Sequence, residues 1–252
     1  MTERVAIVGD NQIPFQDEKL HEQTCRFLAA YKPDRLVILG DFLDFPGLSR
    51  FARDPAVPVA TVQECVDVGK RVMADYRSAV GKRTPITYME GNHEKRLGLR
   101  ILGSEKLVDL FGLVTVPGLL DLSSFGVEWM GNYPHDKLPL APKLAVMHGW
   151  IIRQGSGASA LATLQYLHHS IVIGHTHRLG MAYLTQHEIV GGPTLYVGAE
   201  NGTQCDISKL GYTVAPNWQN GLTLVDLHDN GLFYIDQAVF ASESLLWRGN
   251  RF

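Results

Sequence analysis

Short apolar runs recur along the chain, and nearly every one stops at a glycine or a polar residue. Those at 5–8, 36–39, 86–89, 144–147 and 171–173 are three or four residues long and mainly apolar, the texture of strands buried on both faces. Between the first two, Leu20, Thr24, Phe27, Leu28 and Tyr31 recur at helical spacing, and Lys32-Pro33-Asp34 closes that helix before the next strand. This is a β-α-β unit. From Val62, the positions Cys65, Val66, Gly69, Val72, Met73, Tyr76 and Val80 predict a second amphipathic helix ending near Gly81. Ala160, Leu161, Leu164 and Leu167 predict a third, packed on a sheet. Beyond His177 the pattern turns to strands at 194–197, 222–225 and 232–235, with Asp229-Asn230-Gly231 as a hairpin signal, and predicts a second, mostly antiparallel sheet. In the segment 97–125, Ser104 reads as the cap of a short helix carrying Leu107, Leu110, Phe111 and Val114, which Val116-Pro117-Gly118 would end; this stretch reads as a cap or connection.

Length and composition narrow the class. A chain of 252 residues with 45% hydrophobic and 19% charged positions is expected to be globular, and the absence of a linker between Asp10 and His177 favours one domain over 1–252. Residues 1–4 pass straight into the first strand, so no secretory signal and no membrane helix is expected, and a cytoplasmic location follows. Cys25, Cys65 and Cys205 are odd in number and far apart, which argues for reduced thiols and against a disulfide framework or a zinc ribbon. A net charge of -3 supplies no overall attraction to nucleic acid, although a local basic rim could still hold a phosphate.

Five polar clusters change the picture: Gly9-Asp10-Asn11-Gln12, Gly40-Asp41-Phe42-Leu43-Asp44, Gly91-Asn92-His93-Glu94, His148-Gly149 and Gly174-His175-Thr176-His177. Most follow an apolar run, so their side chains are expected together at strand ends, where α/β folds place their ligands. Two divalent ions roughly 3.5 Å apart repel by about 20 kcal/mol even at an effective dielectric near 20, so a binuclear site needs a bridging anion. Asp41 is the expected bridge, and Asp10 the second carboxylate of the first metal, which His177 would also reach. His148, His175 and the amide oxygen of Asn92 would complete the second metal. Residues two apart in an extended segment face the same way, which lets His175 and His177 act together. His93 is expected to contact substrate and protonate the leaving oxygen, with Asp44 orienting and charging its ring.

In this order the blocks resemble the calcineurin-like metallophosphoesterase superfamily, whose pattern reads D-x-H, G-D-x-x-D, G-N-H-[DE], H, G-H-x-H. Four of the five match fully, and the resemblance spans residue 5 to about residue 177. It implies an α/β layered sandwich of two mixed β-sheets flanked by helices, and phosphoester hydrolysis by a metal-bound hydroxide. Phosphodiesters, nucleotides or nucleic acid among them, are the first choice of substrate, because a proton donor at His93 helps poor alkoxide leaving groups; phosphomonoesters are the alternative. A phosphoprotein phosphatase fits less well, since Asp44 is followed by Phe45-Pro46-Gly47 and not by Arg-Gly.

The first block departs from the pattern, with Gln12 where the family usually has a histidine ligand. An amide oxygen is neutral like imidazole but harder and usually weaker, which predicts a looser first metal and two divalent ions leaning to Mn2+, with Mg2+, Zn2+ or Fe as alternatives. Gln12 reads either as a metal ligand or as a surface amide. The same departure makes a binding or scaffold module without turnover thinkable. Arg96 and Arg178 adjoin the blocks and either grip phosphate oxygens or are solvated charges. Arg153, Gly155, Ser156 and Gly157 read first as a helix entry and second as a phosphate cradle. Trp150 reads as a pocket wall before a stacking surface. His21, His135, His168, His169, His187 and His228 are not expected to be ligands. The metallo-β-lactamase pattern H-x-H-x-D-H is absent after His175.

Overall fold

A computed structural model describes residues 2–50, 59–187, 191–210 and 215–252. The first strand, β1 (Thr2–Val8), leads through α1 (Glu18–Tyr31) to β2 (Arg35–Ile38), parallel to β1. Asp17 caps α1 by accepting from the Lys19 and Leu20 amides, and Lys32 ends it in left-handed conformation. α2 (Val62–Val80) opens on a reciprocal capping box between Thr61 and Glu64 and returns the chain to β3 (Ile86–Met89). Then come α3 (Lys95–Leu102), α4 (Val116–Leu120), β4 (Val127–Met130), β5 (Leu138–Ala141), β6 (Leu144–Met147), α5 (Ala158–Leu167) and β7 (Ser170–Ile173). The remainder is β8 (Leu179–His187), β9 (Pro193–Asn201), β10 (Gly221–His228), β11 (Phe233–Ala241), β12 (Ser244–Trp247) and β13 (Asn250–Arg251).

Two mixed sheets result, eight strands in the order β13-β12-β11-β10-β1-β2-β3-β4 and five in the order β5-β6-β7-β9-β8. Alternation along β1 shows how they stack. Val5 and Ile7 join Leu144, Val146, Val172 and Ala199 in the core between the sheets. Ala6 and Val8 face outward and pack with Leu20, Phe27, Leu28, Val72, Met73 and Tyr76 of α1 and α2. On the far side, Ala145, Met147, Ile171 and Ile173 pack against Ala160 and Leu164 of α5. The architecture is therefore helix, sheet, sheet, helix, as the sequence resemblance implied.

Two local expectations are corrected. The strands after His177 do not form a separate, mostly antiparallel sheet: β8 and β9 join the five-stranded sheet, where β9 runs parallel to β7, while β10 pairs antiparallel with β1 and extends the first sheet. An apolar strand shows in a sequence, but its partner does not. Second, Val116-Pro117-Gly118 begins a helix where an end was expected. Thr115 accepts from the Gly118 amide, and proline in the first turn sacrifices no helical hydrogen bond. Ser104 caps no α-helix; a 3-10 turn at Val108–Leu110 takes that place, and α3, buried through Leu97 and Ile101, precedes it.

Candidate metal centre

The polar clusters sit just beyond the C-terminal ends of β1, β2, β3, β6 and β7, and the loops that carry them are locked to one another. The amides of Asp10, Gln12 and Ile13 donate to the carbonyls of Gly40, Asp41 and Phe42. Asp10, Gln12, Asp41, His175 and His177 all have left-handed backbone, with φ between 46° and 68°. Such conformations cost a non-glycine residue about 1–3 kcal/mol each and cluster at functional sites.

Asp41 is the hub. Its carboxylate forms one potential ligand group with His148 and His175 and another with Asp10 and His177; within each group the ligand atoms lie within 4.8 Å of one another. His148 Nε2 stands 3.3 Å from Asp41 Oδ2 and 3.2 Å from Asn92 Oδ1, and its Nδ1 donates to the Leu39 carbonyl at 2.7 Å. That backbone bond fixes the tautomer and turns Nε2 toward the carboxylate. His177 Nε2 lies 3.2 Å from Asp10 Oδ1, and the Asp10 carboxylate accepts the His175 amide. Asp10, Gln12, Asp41, His148 and His177 are all buried.

Gln12 is no surface amide. Its Nε2 stands 3.1 Å from His177 Nε2 and 3.4 Å from Asp41 Oδ2, and Oε1 is buried without a partner. A half-turn of the amide exchanges the two atoms and presents oxygen to the Asp10, Asp41 and His177 group. Nδ1 of His175 and of His177 are likewise buried and unpartnered. Two carboxylates facing imidazoles, with orphaned nitrogen and oxygen donors alongside, fit divalent cations.

Charge in the cluster is tightly balanced. Burial would raise Asp41, but the charges of His148 and His93 hold it well below the usual carboxylate range. Burial would lower His148, but Asp41 and Asp10 outweigh it and push the ring up to about 10. Burial and the neighbouring His148 charge bring His175 down to about 4.

His93 is buried beside this group, its Nδ1 in contact with the Asp44 carboxylate and its Nε2 3.7 Å from Asp41 Oδ2. Burial lowers its basicity, yet Asp41 and Asp44 raise it further, and the net direction is upward. Arg96 Nη2 lies 2.9 Å from the same Nε2, and its charge opposes that rise without reversing it. Arg96 Nη1 is anchored on the Asp44 carbonyl at 2.7 Å. Arg178 leaves Nε and Nη1 buried and unpartnered directly after His177.

Glu94 is part of a recognised block but had no assigned role. Its buried carboxylate accepts the amides of Asp41, Leu43 and Gly91 and the Tyr88 hydroxyl, joining the second and third clusters. Burial and Asp41 raise it to about 7. Gly91 fits only because it lacks a side chain, since a Cβ there would stand 2.2 Å from Asp41 Oδ1. The Tyr133 ring lies edge-on to His148 and the Trp218 ring edge-on to His177, at 5.5 and 4.5 Å between centroids. Tyr133 offered no sequence signal, and Trp218 stood out in the sequence only as an aromatic of ambiguous role.

Other readings sort themselves. Trp150 packs against Tyr166 and joins the outer core of the five-stranded sheet, so it is a core residue more than a pocket wall. Ser156 and Gly157 form the entry to α5, with Ser156 bonded to Gln219. His21, His168 and His228 contact Asp75, Gln186 and Thr2. Among the described residues no helix is long and apolar enough to cross a membrane. A surface cleft lined by Thr2, Asp34, Pro142 and Asn230 opens at the other end of β1.

No family model matches the chain. Two proteins called Gene 54 protein are similar over most of its length: that of Mycobacterium phage D29 is 27% identical over 91% of each chain, and that of Mycobacterium phage L5 is 26% identical over 89% of each. Among solved structures, Vacuolar Protein Sorting 29 from Cryptosporidium parvum aligns with 100% of this chain and 98% of its own at 18% identity and a TM-score of 0.49. The Chaetomium thermophilum protein of that name aligns with 93% and 96% at 8% identity and a TM-score of 0.40.

Proposed function

We propose that the chain is a two-metal phosphoester hydrolase of the calcineurin-like kind, acting on phosphodiesters such as nucleotides or nucleic acid. The observation that carries this reading is the membership of Asp41 in both ligand groups. A carboxylate shared between two cations offsets their repulsion, which neutral ligands cannot do. Asp10, Gln12 and His177 would hold the first ion with Asp41; Asn92, His148 and His175 would hold the second. When bound, such ions supply Lewis acidity toward phosphoryl oxygens and lower the pKa of an attacking water. Amide and carboxylate oxygens beside imidazoles favour Mn2+.

The remaining chemistry belongs to the chain. Asp44 accepts from His93 Nδ1, which directs Nε2 toward the cluster and leaves it to carry the proton for the leaving oxygen. Arg96, tethered to Asp44, and Arg178 offer cationic donors to non-bridging phosphate oxygens. Gln12 in place of imidazole is the feature that favours the rival reading, a binding module of the same fold without turnover. Hydrolysis of bis-para-nitrophenyl phosphate with Mn2+ separates them: activity is expected, and folded protein inactive with every divalent ion tried would favour the binding module. A panel of mono-, di- and cyclic phosphoesters then ranks the substrates.

A further inference from the structure

The loops that carry His148, His175 and His177 meet at one carboxylate outside the cluster. Glu200 lies on β9, the strand between β7 and β8, with Ile173 as its parallel partner and Gly180 as its antiparallel one. It is wholly buried. Its Oε1 accepts the amides of Ser159 at 2.7 Å and Ala160 at 3.2 Å, in the first turn of α5. Its Oε2 accepts the Thr176 hydroxyl at 3.0 Å.

Each contact has a reason. Gly157, the cap position of α5, has no side chain to satisfy the free amides of the first turn, so a carboxylate from another strand takes that duty. The helix leaves the loop that follows His148, and Thr176 stands between His175 and His177. One buried group therefore ties the exit of one histidine loop to the midpoint of the other. Its own backbone is held from the opposite sheet, where Gln237 Nε2 donates to the Glu200 carbonyl at 2.8 Å. Thr176 also fixes the loop's far side, because its Oγ1 lies 3.4 Å from the Arg178 amide.

We infer that Glu200, through Thr176, is a positioning residue that sets the spacing of His148, His175 and His177 for two divalent cations. This rests on the two-metal reading above. Because His175 and His177 belong to different ligand groups, loss of the clamp weakens both ions together. Groups of this outer kind typically account for roughly ten- to a hundredfold in metal affinity.

The test compares Mn2+ binding by calorimetry in the whole chain, with the electron paramagnetic resonance signal of the coupled pair as a second readout, for wild type, Thr176→Val, Glu200→Ala and Glu200→Gln. Thr176→Val removes the hydroxyl and leaves the cap of α5 intact; it is expected to weaken both ions about tenfold and to broaden the coupled signal. Glu200→Ala is expected to lose roughly ten- to a hundredfold at both sites. Glu200→Gln can keep its oxygen on the helix amides and donate to the Thr176 hydroxyl, so its affinities are expected to stay within about threefold of wild type. A purely structural glutamate would lower the melting temperature of the cation-free alanine variant while leaving the affinities and the signal of folded protein unchanged. Wild-type affinities in Thr176→Val and in folded Glu200→Ala overturn the inference alone, and the threonine variant decides if the alanine variant does not fold. Wild-type protein that takes up no Mn2+ overturns the two-metal reading itself.

Discussion

Residue by residue, the centre depends on which atoms have room and which have partners. Gly91 is the sharpest case: a methyl group there would stand 2.4 Å from the Asp41 amide and closer still to its carboxylate. Gly91→Ala is therefore expected to displace Asp41 and abolish binding of both ions, which equilibrium dialysis with Mn2+ reads directly. His93→Asn is expected to lower turnover by about 10²–10⁴-fold while metal content stays at the wild-type level. Equal loss of both would remove His93 from the acid role. Gln12→His is expected to tighten the weaker of two calorimetric sites, and two equally tight sites in the wild type would contradict the weak-amide account. Most of this cluster was legible in the chain, because Asp10, Asp41, Asn92, His148, His175 and His177 stand in short ordered blocks. Gln12 was not, since neighbours in sequence say nothing about which way an amide faces; burial and two close partners do. Tyr133, Trp218 and Glu200 were hidden for another reason: each meets the centre only through tertiary contact, although a glutamate inside the apolar stretch of β9 is an anomaly a buried strand must explain.

Among elements, the strands are scaffolding whose C-terminal ends aim the loops, and the helices hold that scaffold from outside. The capping box of α2 lies on the outer layer, with Cys65, Val66 and Met73 carrying the helix into the core. Thr61→Ala is expected to cost about 1 kcal/mol, visible as a lower urea midpoint with the metal affinities unchanged. Helical periodicity announced α1, α2 and α5, and hydrophobic runs announced β1, β2, β3, β6 and β7. What stayed illegible was pairing. β8 and β9 complete one sheet and β10 to β13 the other because β10 docks beside β1, a choice made by packing across the molecule and not by any local alternation. The reversed reading of Val116-Pro117-Gly118 has a similar origin, since proline stops one helix and starts another with equal ease.

Across the whole molecule, the two sheets meet above a core of Val5, Ile7, Val146 and Val172 and bring their strand ends to one place, so Asp10 and Asp41 from the first sheet face His148, His175 and His177 from the second. Cation binding should therefore join the sheets and stabilise the fold by mass action, and chelation should lower the melting temperature. The pH dependence has a definite sign. His148 without cations is raised from its ordinary 6.5 to about 10, so its contribution to stability is complete below about pH 6.5 and is lost as pH rises toward 10. A cation needs the neutral ring, so its uptake must release that proton. Affinity is expected to fall by about tenfold per pH unit between pH 8 and pH 6, with proton release measurable by titration in buffers of different ionisation enthalpy. The most direct test of the shared carboxylate is anomalous diffraction from crystals grown with Mn2+. Two peaks roughly 3.5–4 Å apart, both in contact with Asp41, are predicted; a single peak, or two with Asp41 bound to one alone, would contradict the account.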